Sequence, residues 1–130
     1  MSFENMGLNE SITRAVLDAG YTQATEVQQR AIGPALAGTD LMVSASTGSG
    51  KTAAFILPAL QRVLAARNDP SKARDKHTTY GPRILVLTPT RELAMQVAKA
   101  AVTYGRHVPG LRVATVVGGV PYPAQLKALR

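Results

Sequence analysis

One stretch constrains this chain more than any other: ASTGSGKT, residues 45–52. It falls between a short apolar run at 41–44, LMVS, and a longer one at 53–66. The first reads as a buried strand and the second as a helix, kinked near Pro58 because proline cannot donate to the helical ladder. A Gly/Ser linker would not be pressed so tightly between two buried elements. A loop that wraps phosphate would be, since glycines let backbone N–H groups turn inward and the following helix N-terminus favours an anion. In that arrangement Ala45, Ser46, Thr47, Gly48, Ser49 and Gly50 form the cradle, Lys51 reaches the terminal phosphates and the Thr52 hydroxyl binds magnesium. The pattern departs from G-x-x-x-x-G-K-[ST] at its first position, where Ala45 stands.

Around this loop, helical and extended patterns alternate. Asn9 caps a helix that runs through Ile12, Ala15, Val16 and Leu17, and Gly20 suits its left-handed end. Thr25 starts a second helix with Val27, Ala31 and Ile32 on one side. Gly33 and Pro34 are expected to break or bend it, and Gly38 to end the remainder. Residues 67–82 are polar and mixed in charge, a surface loop rather than a domain boundary. RILVLT, 83–88, reads as a second strand. A helix follows at 90–104, with Leu93, Ala94, Val97, Ala98, Ala101 and Val102 as its apolar stripe. RVATVV, 112–117, reads as a third strand, and 122–130 begins another helix. Strand, helix, strand, helix, strand predicts an α/β chain: a parallel β-sheet with flanking helices and right-handed crossovers.

Bulk properties narrow the classes. A length of 130 residues, 45% hydrophobic and 18% charged, describes one folded domain. The absence of cysteine excludes a disulfide framework and a thiolate metal site. The first ten residues carry two acids and no long apolar run, unlike a signal peptide. The longest apolar run, 53–60, contains Pro58 and is too short to cross a bilayer, so no membrane role and a cytoplasmic location are expected. A net charge of +7 favours a polyanionic partner. His77 and His107 have no partners at ligand spacing and read as surface residues.

Three further landmarks carry a family resemblance: GYTQATEVQ at 20–28, PTRELA at 89–94, and the pair Gly118–Gly119. Their order and spacing around the phosphate loop resemble the N-terminal half of the first RecA-like domain of the DEAD-box RNA helicases, across essentially the whole chain. The resemblance implies a partial RecA-like P-loop domain, with 1–29 as the Q-motif region and 30–130 as a partial ATP-binding domain. ATP and Mg2+ would be its cofactors. Gln28 matches the glutamine that reads adenine; a side-chain amide can donate to a ring nitrogen and accept from the exocyclic amine together. Thr25 is that motif's threonine and Tyr21 its aromatic, while Phe3 lies where the family carries an upstream aromatic that stacks on the base. Two positions depart from the pattern: Ala24, where proline is preferred, which leaves the turn before Thr25 less rigid, and Ser46, where glutamine is commoner.

The same resemblance implies that Pro89, Thr90 and Arg91, with Gly118 and Gly119, hold RNA through its backbone without sequence preference. Thr90 and Arg91 open a helix directly after a strand, presenting N–H groups and a guanidinium to a phosphate. Thr90 as a plain N-cap and Arg91–Glu92 as a solvated pair is compatible with that role. The family's later motifs are not in the sequence: the D-E-A-D carboxylates, S-A-T and a second RecA-like domain. Its eight acids are scattered, so these 130 residues are expected to bind ATP through Lys51 and Thr52 without hydrolysing it. Another P-loop ATPase, such as a DNA helicase, and a purely non-catalytic binding module are the alternatives. In the family the strand leading to the phosphate loop does not lie beside the strand leading to PTRELA. The strands at 41–44 and 83–88 would therefore lack neighbours, and a strand-exchanged or edge-paired dimer is expected.

Overall fold

The computed structural model of the protein describes residues 2–44, 50–67 and 83–116. Within them lie a short 3-10 turn, Phe3–Asn5, and helices α1 (Glu10–Asp18), α2 (Glu26–Leu36), α3 (Lys51–Arg67) and α4 (Arg91–Tyr104). Each of α1, α2 and α4 starts where a short polar side chain replaces a missing intrahelical acceptor. Asn9 Oδ1 accepts from the Ser11 N–H, Thr25 Oγ1 from Gln28 and Thr90 Oγ1 from Leu93.

The ends of α1 and α2 are matched. Gly20, at φ +94°, sends its N–H to the Leu17 carbonyl while Tyr21 donates to Val16. Gly38 and Thr39 repeat this arrangement on Ala35 and Pro34. Both are Schellman caps, which satisfy the last carbonyls at a residue that tolerates the left-handed region. The expected break at Gly33 and Pro34 does not occur, and α2 runs through both. Pro34 removes a ladder donor from the Arg30 carbonyl, but Arg30, Gly33 and Pro34 are all exposed, so water can replace it.

The core gathers around α3. Phe3, Ile12, Val16, Ala24 and Ile32 pack with Ala53, Ile56, Leu57 and Leu60, all buried. Helix α3 packs against both α2 and α4, and α1 touches α3 and α4. Leu17, next to buried Val16 on α1, is at the surface. A backbone bond fastens the entry of α1 to this frame: the Asn9 N–H donates to Gln61 Oε1 on α3 at 2.7 Å.

The expected sheet is not seen among the described residues. Their one β-pairing is an antiparallel bridge between Ser2 and Gln23. Segments 41–44, 83–88 and 112–116 form no ladder, and Leu85 and Leu87 are 75% and 85% exposed. A parallel strand needs a neighbour delivered by a crossover on each side that is to be satisfied. Here residues of α3, α4, 83–88 and 110–116 line a common cavity of about 650 Å³ instead. Helix α4 correspondingly buries no residue fully. Val117, residues 68–82 of the expected loop and the expected helix at 122–130 lie outside the described residues.

Candidate nucleotide site

Gln28 is the buried polar side chain of the core region, 6% exposed. Its position follows from helix geometry: it stands at N3 of α2, one turn from the Thr25 cap, so its side chain can reach back over the helix start. Oε1 accepts from the Thr25 N–H at 2.9 Å, and the Gln28 N–H donates to Thr25 Oγ1 at 3.4 Å, completing a capping box. Nε2 donates to the Gly50 carbonyl at 3.2 Å, 22 residues away. These two partners fix which end of the carboxamide is which, since an N–H must meet oxygen and a carbonyl must meet nitrogen. Among the described residues each end keeps unused capacity, one N–H on Nε2 and one lone pair on Oε1.

Gly50 is the last residue of the candidate phosphate loop and directly precedes α3. Its φ of +87° lies in the left-handed region, and a Cβ there would come within 2.9 Å of Thr25 Oγ1 and collide with the Gln28 amide. Lys51 follows as the first helical residue, exposed, and Thr52 is half-buried. The structure therefore brings Thr25, Gln28, Gly50, Lys51 and Thr52 to one corner where α2 and α3 begin. Ala45, Ser46, Thr47, Gly48 and Ser49 lie outside the described residues.

The two aromatic candidates sit differently from one another. Phe3 is 2% exposed and packs into the core, so its ring faces side chains rather than open space. Tyr21 is 54% exposed and tilts against Tyr104, with ring centroids 6.4 Å apart. Burial pushes the Tyr104 phenol above its ordinary value of 10.0, and Tyr21 adds to this.

Pro89, Thr90 and Arg91 are exposed at the start of α4, with Thr90 acting as the cap and its carbonyl accepting from Thr88 Oγ1 at 3.1 Å. Gly118, Gly119 and His77 lie outside the described residues. His107 differs from its reading as an unpartnered surface residue: its Nε2 stands 2.7 Å from Asp18 Oδ2. That hydrogen bond is the main cause holding the Asp18 carboxyl below its ordinary value, with Arg106 and Arg14 adding to it. The pair spans 89 positions, and only packing of α1 beside the end of α4 could reveal it. Gln29 was also missed: its Nε2 donates to the Ala24 carbonyl at 2.8 Å. No spacing signal marks it, because a glutamine beside another in an amphipathic helix looks merely solvated.

A family profile described as DEAD/DEAH box helicase matches residues 25–130. The chain belongs to this family. Among curated relatives, the DEAD/DEAH box chain is 48% identical over 121 residues to the ATP-dependent RNA helicase SrmB of Escherichia coli (strain K12), covering 93% of its own length and 25% of the relative's. It is 43% identical over 129 residues to the ATP-dependent RNA helicase DeaD of the same organism, covering 99% and 19%. The chain thus spans about a fifth to a quarter of these relatives. Among solved structures, the RNA-helicase Prp28 from Chaetomium thermophilum bound to ADP matches with TM-score 0.79 at 36% identity, over 98% of this chain and 29% of that one. A DEAD box protein from Methanococcus jannaschii matches with TM-score 0.80 at 31% identity, over 100% and 32%. These neighbours give the DEAD/DEAH box chain an α/β helicase fold, even though its described residues carry no ladder.

Proposed function

We propose that this chain is the ATP- and RNA-binding N-terminal part of a DEAD-box RNA helicase that uses ATP hydrolysis to remodel RNA. Its Q-motif region is 1–29, its partial RecA-like nucleotide domain is 30–130, and the segments at 41–44, 83–88 and 112–117 are strands of the whole protein's parallel sheet. The carrying observation is the Gln28 carboxamide, held by Thr25 and Gly50 with one donor and one acceptor to spare among the described residues. That remaining pair complements adenine, which offers an acceptor nitrogen beside an amine. Guanine offers two acceptors there and leaves the Gln28 oxygen facing another oxygen. The ADP named for one structural neighbour supports the same choice.

In this reading residues 45–50 cradle the phosphates, Lys51 neutralises them and Tyr21 lies toward the base, whereas Phe3 packs in the core. The left-handed Gly50 beside an exposed Lys51 at a helix start suits an anionic group. Magnesium, held through the Thr52 hydroxyl, would neutralise charge between the outer phosphates. Pro89, Thr90, Arg91, Gly118 and Gly119 grip the RNA backbone, and the location is cytoplasmic. No ATP turnover is expected from these 130 residues alone, whose sequence holds no Asp-Glu-Ala-Asp.

Calorimetric titration with ADP and GDP tests the reading. ADP should bind more tightly by about 1–3 kcal/mol. Gln28→Ala should erase the preference while retaining phosphate-dependent affinity, and Lys51→Ala should abolish binding of both. Equal affinities in the wild type would refute the assignment of Gln28.

A further inference from the structure

Two successive glutamines hold one peptide unit from its opposite ends. Gln28 Oε1 takes the Thr25 N–H at 2.9 Å, and Gln29 Nε2 takes the Ala24 carbonyl at 2.8 Å. The N–H and the carbonyl belong to the same peptide plane, the one linking Ala24 to Thr25. Gln29 reaches it because its own backbone N–H is already bonded to the Thr25 carbonyl at 2.9 Å, which sets the first turn of α2 beneath it.

The flanks of that plane are held, with the Ala24 methyl buried in the core and the Thr25 carbonyl bonded to the Gln29 N–H, but these contacts leave its own N–H and carbonyl to the two glutamines. Turning it changes ψ of Ala24 and φ of Thr25, and neither torsion is locked by a ring. The Ser2–Gln23 bridge secures the chain before it but leaves rotation of the 24–25 plane open. The Ala24 carbonyl also precedes the cap, and the Gln28 N–H that could have bonded it goes to Thr25 Oγ1 instead. If the plane turns, the Thr25 N–H swings away from Gln28 Oε1. The carboxamide then keeps only its Gly50 contact and can present its ends in more than one way.

We propose that Gln29 is a positioning residue for base selection: by anchoring the Ala24 carbonyl it fixes the Thr25 N–H and thereby the orientation of the Gln28 carboxamide. This rests on the reading of Gln28 as the adenine-sensing group. Gln29 touches no base; it acts through the peptide plane and Gln28. A purely structural role would alter stability alike for every ligand, whereas this role changes the ratio of adenine to guanine affinity.

The experiment compares the full 130-residue chain with Gln29→Met, close in shape but without a donor, and Gln29→Lys, which restores a donor. ADP and GDP titrations are run on each, alongside amide hydrogen exchange at Thr25. For Gln29→Met the ADP-to-GDP preference should fall about threefold to tenfold, as expected for one lost hydrogen bond, and Thr25 exchange should quicken. Gln29→Lys should recover both. If Gln29→Met keeps the wild-type preference and Thr25 exchange, the proposal is overturned while the adenine reading stands. If the wild type itself does not discriminate, the adenine reading fails, and unchanged Thr25 exchange in Gln29→Met would overturn the positioning role independently.

Discussion

Gly50 joins the candidate base reader to the phosphate loop, and a single methyl group there should separate them. Any L-residue at φ +87° is strained, and the added Cβ has no room beside Thr25 Oγ1 and the Gln28 amide. Gly50→Ala is therefore expected to cost about 1–3 kcal/mol of stability and to weaken nucleotide binding, because the Gln28 Nε2 bond to its carbonyl must lengthen. Thermal melts with and without ADP check both effects; a variant as stable and as responsive to ADP as the wild type would contradict the geometry. A second residue-scale expectation concerns Asp18. His107, Arg106 and Arg14 depress its folded pKa, so its stabilising effect is present above the unfolded value near 3.8 and is lost as pH falls through the folded one. Asp18→Asn should melt below the wild type at pH 5, and the gap should close in the acid range under 3.8.

Among the elements, α3 and α4 contrast most. Helix α3 buries seven of its residues and carries the core, whereas α4 buries none completely and stands on its Thr90 cap and one packed flank. An element anchored so lightly can still present its N-terminus with precision, because capping fixes the first turn locally. Exposed Arg91 stands in that turn. If it meets an RNA phosphate, Arg91→Ala should weaken binding of unrelated single-stranded RNAs about equally. The slope of log K against log salt should drop by about 0.7, the value for one phosphate contact on a single strand. Filter binding at several salt concentrations measures this, and a slope equal to that of the wild type would remove Arg91 from the interface.

For the whole molecule, the distribution of apolar surface is lopsided. The α1–α2–α3 side is closed over Phe3, Ile12, Ile32 and Leu57, while Leu41, Met42, Leu85, Leu87 and Val116 stay open to solvent. Surfaces of this kind recruit further chain, with main-chain pairing supplying affinity and apolar side chains adding burial. The isolated 130-residue polypeptide is expected to associate through these segments despite its net charge of +7, more strongly at high salt as that repulsion is screened. Light scattering across a concentration and salt series, with amide exchange of residues 41–44 and 84–88, checks it. A monomer whose amides in these segments are strongly protected would require them to pair within one chain.

What the sequence determined by itself is everything that depends on near neighbours along the chain. The caps at Asn9, Thr25 and Thr90, the Schellman ends at Gly20 and Gly38 and the inward positions Ile12, Val16 and Ile32 were legible because each arises within about one helical turn. The phosphate-loop pattern was legible for the same reason, as small residues spaced before Lys51, whereas the role expected of Gln28 followed from the family resemblance. Tertiary structure alone decided the rest. Whether Phe3 faces a ligand or the core depends on how the first residues fold over α3, 50 or more positions away, and it lies in the core. The bond from Gln28 to Gly50, the Asp18–His107 pair and the anchor of Asn9 on Gln61 join residues 22, 89 and 52 positions apart. No periodicity encodes such pairs. The segments 41–44, 83–88 and 112–117 read as strands from their apolar runs, but the described residues show no ladder among them, because a ladder is a property of two segments together. Pairing requires a partner brought alongside, and packing of the whole chain, not local preference, supplies it.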